Sequence, residues 1–225
     1  MVRVFIRNGT CGAEDFFKCL GTESRTYVLQ DCFERNSAMF CELRDELQDI
    51  MDESTLSRRL AELVSMGLLD KIRYANASSA RAVYRMTQKA VDLNPIFEAM
   101  RDFHRKWGPE EDSCIINWIA CTKKLLGSRW NARIIWLLFV LRAVRFNELK
   151  NSIEGVSFKM LTQQLRYLEG EDVVLRKDFH ENPPHIEYSL TQKGDALYEI
   201  MLLIAKWNSQ YGLTNGSMGT QNSVV

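Results

Sequence analysis

Residues 125–169 read LLGSRWNARIIWLLFVLRAVRFNELKNSIEGVSFKMLTQQLRYLE, and residues 173–207 continue VVLRKDFHENPPHIEYSLTQKGDALYEIMLLIAKW. The order in which the hydrophobic period changes along this stretch decides the fold. Ile115, Ile116, Ile119, Leu125 and Leu126 recur at helical spacing, and Ile134, Ile135, Leu137, Leu138 and Leu141 predict a second, almost fully buried helix. Phe146 to Ser152 predicts a short helix, Glu154-Gly155-Val156 a turn, and Ser157 the cap of a longer helix running to about Glu169. Two β-rich segments follow, Val173 to Phe179 and His185 to Leu190, separated by Glu181-Asn182-Pro183-Pro184. Thr191 then opens a last helix with an apolar stripe at Leu197, Ile200, Met201, Ile204 and Trp207. The series is a helix-turn-helix, a hairpin wing and a terminal helix.

The same outline recurs earlier in the chain. Leu20-Gly21 corresponds to Leu126-Gly127, Phe40-x-Glu42-Leu43 to Phe146-x-Glu148-Leu149, and Leu56, Leu60 and Leu63 to Leu161, Leu165 and Leu168. Further on, Tyr84-x-x-Thr87-Gln88-Lys89 matches Tyr188-x-x-Thr191-Gln192-Lys193, and Lys106-Trp107 matches Lys206-Trp207. Gly108-Pro109-Glu110-Glu111-Asp112 ends one helix and starts the next, as a short hinge. The expected organisation is therefore a divergent winged-helix domain over 1–108, a second winged-helix domain over 109–212 and a disordered tail over 213–225. The fold class expected is mainly α with small β-hairpin wings: two tandem winged helix-turn-helix domains arranged as a pseudo-dimer.

Composition bounds the function. The chain has 225 residues, room for two small domains, and 29 basic against 29 acidic residues, so any charge that attracts phosphate must be local. No apolar run approaches the roughly 20 residues of a membrane span, and the N-terminal MVRVFIRNG, interrupted by Arg3 and Arg7, does not read as a signal peptide. The six cysteines form no CxxC pair and no zinc-finger spacing, which reads as thiols of a reducing cytoplasm with no metal. His104, His180 and His185 lie near no nucleophile with an orienting acid, and no phosphate-binding or dinucleotide-binding glycine loop is present. Neither an enzyme nor a cofactor is expected.

The chemistry rests on which face of the Ser157 helix is free. With Met160, Leu161, Leu165 and Leu168 turned inward, Ser157, Phe158, Lys159, Thr162, Gln163 and Arg166 face outward. Gln pairs with adenine, Lys and Arg with guanine, and Thr packs on a thymine methyl, all in a groove that admits one helix. A polar, mildly basic face is also what a solvated helix shows; the ordered series of elements favours DNA. In the first repeat, Ser54, Ser57, Arg58 and Arg59 are the corresponding candidates, with both arginines free if Leu56, Leu60 and Leu63 are buried. Against them stand Glu42, Asp45, Glu46, Asp49, Asp52 and Glu53, a block that repels phosphate wherever it faces DNA.

The second repeat resembles the HxlR type of winged helix-turn-helix regulator. The resemblance is carried by Gly127-Ser128-Arg129-Trp130, by RFNEL over Arg145 to Leu149, by Ser157 to Glu169, by PPHIEYSLT over Pro183 to Thr191 and by Trp207. Glu171-Asp172 departs from the usual acidic-Gly turn, and the family's N-terminal Cys-Pro has no clean counterpart. The resemblance implies double-stranded DNA as partner, dimerisation through first and last helices, and a wing whose Arg176, Lys177, His180 and His185 meet phosphate or the minor groove. In a fused chain that dimer becomes an intramolecular repeat–repeat interface, explaining Trp107, Trp118 and Trp207; a further homodimer stays open. Many relatives carry a redox-sensing Cys where Cys11 stands, and burial as a structural thiol is the competing reading. The function expected is a cytoplasmic, DNA-binding transcription regulator. The alternative is a protein-interaction winged helix in which the acidic first repeat docks a partner.

Overall fold

The computed structural model describes residues 12–21, 23–72, 82–109 and 114–212. Cys11, residues 73–81, the acids Glu110, Glu111 and Asp112 of the expected hinge, and the expected tail 213–225 lie outside the described residues.

Each repeat begins with two helices. In the first these are α1 (Ala13–Leu20) and α2 (Glu23–Arg35), followed by β1 (Ser37–Met39), α3 (Phe40–Leu47), α4 (Glu53–Ser65), β2 (Leu69–Ile72), β3 (Val83–Met86), α5 (Gln88–Val91) and α6 (Asn94–Trp107). The second runs α7 (Ile115–Leu126), α8 (Arg129–Leu141), β4 (Ala143–Arg145), α9 (Phe146–Ser152), α10 (Phe158–Gly170), β5 (Val174–Asp178), β6 (Ile186–Leu190) and α11 (Gln192–Tyr211). Two tandem winged-helix domains result, each with a three-stranded antiparallel sheet in which the last strand is central, in the orders β1-β3-β2 and β4-β6-β5.

Local chemistry explains the boundaries. Ser157, Asp52, Thr87 and Thr191 each accept a hydrogen bond from a backbone N–H in the first turn of the helix they open, satisfying a donor that has no partner within the helix. Gly155 takes φ 77°, the left-handed conformation that lets the chain turn sharply between α9 and α10. Lys177 stands opposite Glu187 in the wing, and Val174 opposite Leu190. One difference between the repeats was not legible in the pattern: the single helix α11 has as counterpart the broken pair α5 and α6. Pro95 sits in the first turn of α6, where its missing N–H costs nothing, and the break takes up the extra turn of chain between Thr87 and Trp107.

One buried apolar cluster runs through both repeats, including Phe16, Leu29, Leu60 and Met100 from the first and Ile134, Leu165, Leu197 and Ile204 from the second. The repeats meet through their first and last helices: α6 packs on α7, α1 on α11, and α6 on α11. Exchanging the repeats turns the first of these contacts into the second and the third into itself, the pattern of a twofold. Trp207 Nε1 donates to Lys89 O at 2.9 Å, Phe16 meets the Trp207 ring edge-on at 5.8 Å, and the Arg101 guanidinium lies 5.9 Å from the Trp118 ring. Clefts of about 430 and 370 Å³ line the same seam, one beside Trp207 and one beside Trp107.

Candidate nucleic-acid interface

Leu161, Leu165 and Leu168 are buried, which fixes the rotation of α10 about its axis. Lys159, Gln163 and Arg166 are consequently exposed, and Phe158 is 61% exposed. Ser157 is spent on capping, its Oγ accepting from Met160 N at 3.1 Å, and the Thr162 hydroxyl donates back to Phe158 O at 2.9 Å. Thr162 is half-buried, with its hydroxyl proton engaged by its own helix. Met160 is also half-buried, with Gln164 Nε2 at 3.6 Å from its sulfur.

Two residues that the sequence reading did not single out as site residues support this face. Phe146, the first residue of α9, stacks on Phe158 with ring centroids 5.5 Å apart and planes 30° from parallel, and Lys150 Nζ lies 5.7 Å from the Phe158 ring. The signal available was the RFNEL segment, whose aromatic lies one short helix before the cap.

The wing is more internally bonded than expected. Its strand β5 packs on α10. Lys177 is exposed, its ammonium 4.6 Å from the Phe179 ring, while Arg176 pairs with Asp178 at 3.3 Å. The His180 side chain is 88% exposed and its backbone N–H donates to Asp178 Oδ1 at 2.9 Å, a bond that holds the Asp178 carboxyl below its usual range. His185, expected as a phosphate contact, is held inside the wing instead. Its ring nitrogens lie 2.8 Å from Glu187 and 2.9 Å from Glu181, its ring stacks on Phe179 at 4.4 Å, and its side chain is only 18% exposed. Hydrogen bonds to Glu187 and then Glu181 raise its pKa.

In the first repeat Leu56, Leu60 and Leu63 are buried as expected, and Ser57 and Arg58 are exposed. Arg59 is not free. Its side chain is 13% exposed, with Nε donating to Ser24 Oγ at 2.9 Å and Nη1 within 3.0 Å of Glu62, which also takes an Arg25 pair at 2.6 Å. Arg25 and then Arg59 hold the Glu62 carboxyl below its usual range. The Ser54 hydroxyl donates to Asp52 Oδ1 at 2.7 Å and is likewise occupied. Much of the acidic block is also used internally. Glu42 accepts from Met39 N at 2.7 Å, Asp45 pairs with Arg44 at 2.8 Å, Glu46 with Arg35 at 3.1 Å, and Asp52 caps α4. Asp49 and Glu53 remain exposed on the approach to α4.

Burial raises the pKa of the Cys19 and Cys121 thiols and pushes that of Cys32 up to about 12, which keeps these sulfurs protonated and slow as nucleophiles. Among the described residues no group of three or more His, Cys, Asp or Glu could hold a metal ion, and no helix is long and apolar enough to cross a membrane.

Comparison with known proteins matches the sequence to a family. The family model described as HxlR-like helix-turn-helix matches residues 21–112 and, separately, residues 125–215. An uncharacterized HTH-type transcriptional regulator of Halalkalibacterium halodurans is 40% identical over 86 residues, which is 38% of this chain and 76% of that protein. The HTH-type transcriptional regulator YodB of Bacillus subtilis is 38% identical over 87 residues, covering 39% of this chain and 77% of YodB. The structure of reduced YodB aligns at 34% identity with a TM-score of 0.40, over 44% of this chain and 95% of that one. Such relatives are each about one repeat long.

Proposed function

Since the chain belongs to the HxlR-like helix-turn-helix family in both of its halves, we propose that it is a DNA-binding transcription regulator in which one polypeptide supplies both members of a dimer. The observation that carries this reading is the face of α10, where Phe158, Lys159, Gln163 and Arg166 are exposed while the leucines on the opposite side are buried. The side chains of Lys159, Gln163 and Arg166 take part in no hydrogen bond or ion pair with other described residues. Side chains left unpaired beside a helix cap suit the major groove, and Lys177 and His180 at the exposed wing suit phosphate. The two repeats form a pseudo-twofold that brings two reading helices to successive grooves about 34 Å apart. The reaction is binding, with no catalytic step, and the chain works in the cytoplasm.

Within this reading the first repeat contributes less base recognition, through Ser57 and Arg58. Its exposed Asp49 and Glu53, together with the internal engagement of Arg59, favour a second role for that face: docking of a basic protein partner. Selection of bound sequences from random duplex DNA tests the proposal. A site with one strongly specified half and one weakly specified half is expected; failure to enrich any sequence would refute DNA recognition and leave the protein-docking role.

A further inference from the structure

Phe158 is the largest apolar side chain on the outer face of α10, and it stands at the first helical position with 61% of its surface in solvent. It is not loosely held. Phe146 covers one side of the ring and the Lys150 ammonium lies near it, so ordering this phenyl group on binding costs little conformational entropy.

The first repeat supplies an internal comparison. Ser157 and Asp52 are both helix caps, so Phe158 corresponds to Glu53, Phe146 to Phe40 and Lys150 to Arg44. An aromatic and a cation stand at the corresponding positions of both repeats, but the residue after the cap is an apolar ring in one and a carboxylate in the other, and Arg44 is paired with Asp45.

We propose that Phe158 recognises the 5-methyl group of a thymine in the major groove, an inference that rests on α10 being the reading helix. The first residues of a recognition helix are those that meet base edges. Among the groups those edges present, the thymine methyl is the apolar one; the others are hydrogen-bond donors and acceptors. A phenyl ring set against a donor or acceptor strips it of water and returns no bond, which costs free energy, whereas set against the methyl it buries apolar surface on both sides. Lys159 and Arg166 on the same helix, with Lys150 behind it, supply the positive charge that draws the phosphates in. Glu53 cannot make this contact, so the methyl requirement belongs to one half-site.

The test uses the full chain and its selected operator, with each thymine replaced in turn by deoxyuridine, which removes the methyl and nothing else. One position under the second repeat should lose about fourfold in affinity, the worth of burying one methyl-sized group. Phe158→Ala should bind more weakly than the parent and be indifferent to uracil at that position, while Phe158→Leu should retain part of the discrimination. Matching melting curves for the variants separate loss of contact from loss of fold. Equal sensitivity to uracil in the parent and in Phe158→Ala would overturn the inference. So would parental binding that is insensitive to uracil at every position, with the DNA-binding reading left standing. Failure of the parent to bind any DNA overturns both.

Discussion

The indole nitrogen of Trp207 donates to the carbonyl oxygen of Lys89, 2.9 Å away, so the last helix of the second repeat is hydrogen-bonded to the short helix that follows the first sheet. Trp207 is buried, and its ring is met by Phe16 and Tyr211. Trp207→Ala should therefore destabilise the chain by about 3–5 kcal/mol, the usual cost of deleting a large buried aromatic. Trp207→Phe should cost less, since it keeps most of the packing and gives up the bond. Urea unfolding followed by circular dichroism measures both, and a Trp207→Ala midpoint equal to the parent's would show that the seam does not depend on this residue.

Gln163→Ala combined with Arg166→Ala should abolish sequence-specific binding in a mobility-shift assay and leave the melting curve unchanged, because both side chains are exposed. Residual binding should fall steeply as salt is raised, since phosphate contacts then supply nearly all of it. Unchanged affinity for the selected operator would remove α10 from the interface.

Arg58 and Arg59 are neighbours with opposite expected behaviour. Arg59→Ala removes the pairing with Glu62 and Ser24 and should lower the unfolding midpoint. Arg58→Ala should leave the midpoint where it is and reduce DNA affinity, through the weaker half-site. The reverse pattern would mean that the ion-pair network beneath α4 is not what holds that helix to α2.

The wing should respond to pH through His185. Its pKa is raised above 6.5 by the flanking Glu187 and Glu181, so its contribution is fully present below 6.5 and is lost as pH rises through the raised value. The protection factors of the β5 and β6 amides, taken relative to the base-catalysed exchange of an unstructured chain at the same pH, should accordingly fall as the solution passes from mildly acidic to alkaline, and His185→Gln should flatten that dependence. Asp178 acts in the opposite sense: its lowered pKa gives a contribution present above 3.8 and lost as pH falls below it. Protection factors in the wing that ignore pH between about 6 and 9, roughly the range over which a histidine of raised pKa titrates, would remove His185 as the group responsible.

Gly194 sits in the first turn of α11, where an added Cβ would clash with the Val173 carbonyl oxygen. Gly194→Ala should cost about 1–3 kcal/mol by forcing α11 away from the sheet. The corresponding residue of the first repeat is Ala90, which is buried. Thermal unfolding of the single variant decides it.

Much of this molecule was legible in its sequence because the deciding signals are local. Ser157 and Thr191 announce helix starts by a chemistry that needs only a few residues, and the leucines at 161, 165 and 168 fix the rotation of α10 wherever it packs. What was not legible depends on partners distant in the chain. Arg59 looks free from its neighbours and is bound because Ser24 lies on the adjacent helix. His185 reads as a wing cation and is enclosed by two carboxylates that the hairpin folds around it. The exposure of Phe158 could be foreseen, but its support by Phe146 required the angle between two helices.

The packing of α1 on α11 and of α6 on α7 has a quantitative consequence for titration. A regulator assembled from separate subunits loses its second reading head on dilution, and its operator occupancy climbs with a power of protein concentration greater than one. In the proposed regulator the two heads share a backbone, so their pairing is set by a fixed local concentration of millimolar order rather than by expression level. Occupancy should follow a simple hyperbola down to the scarcest protein, with a Hill coefficient of about 1 for one site.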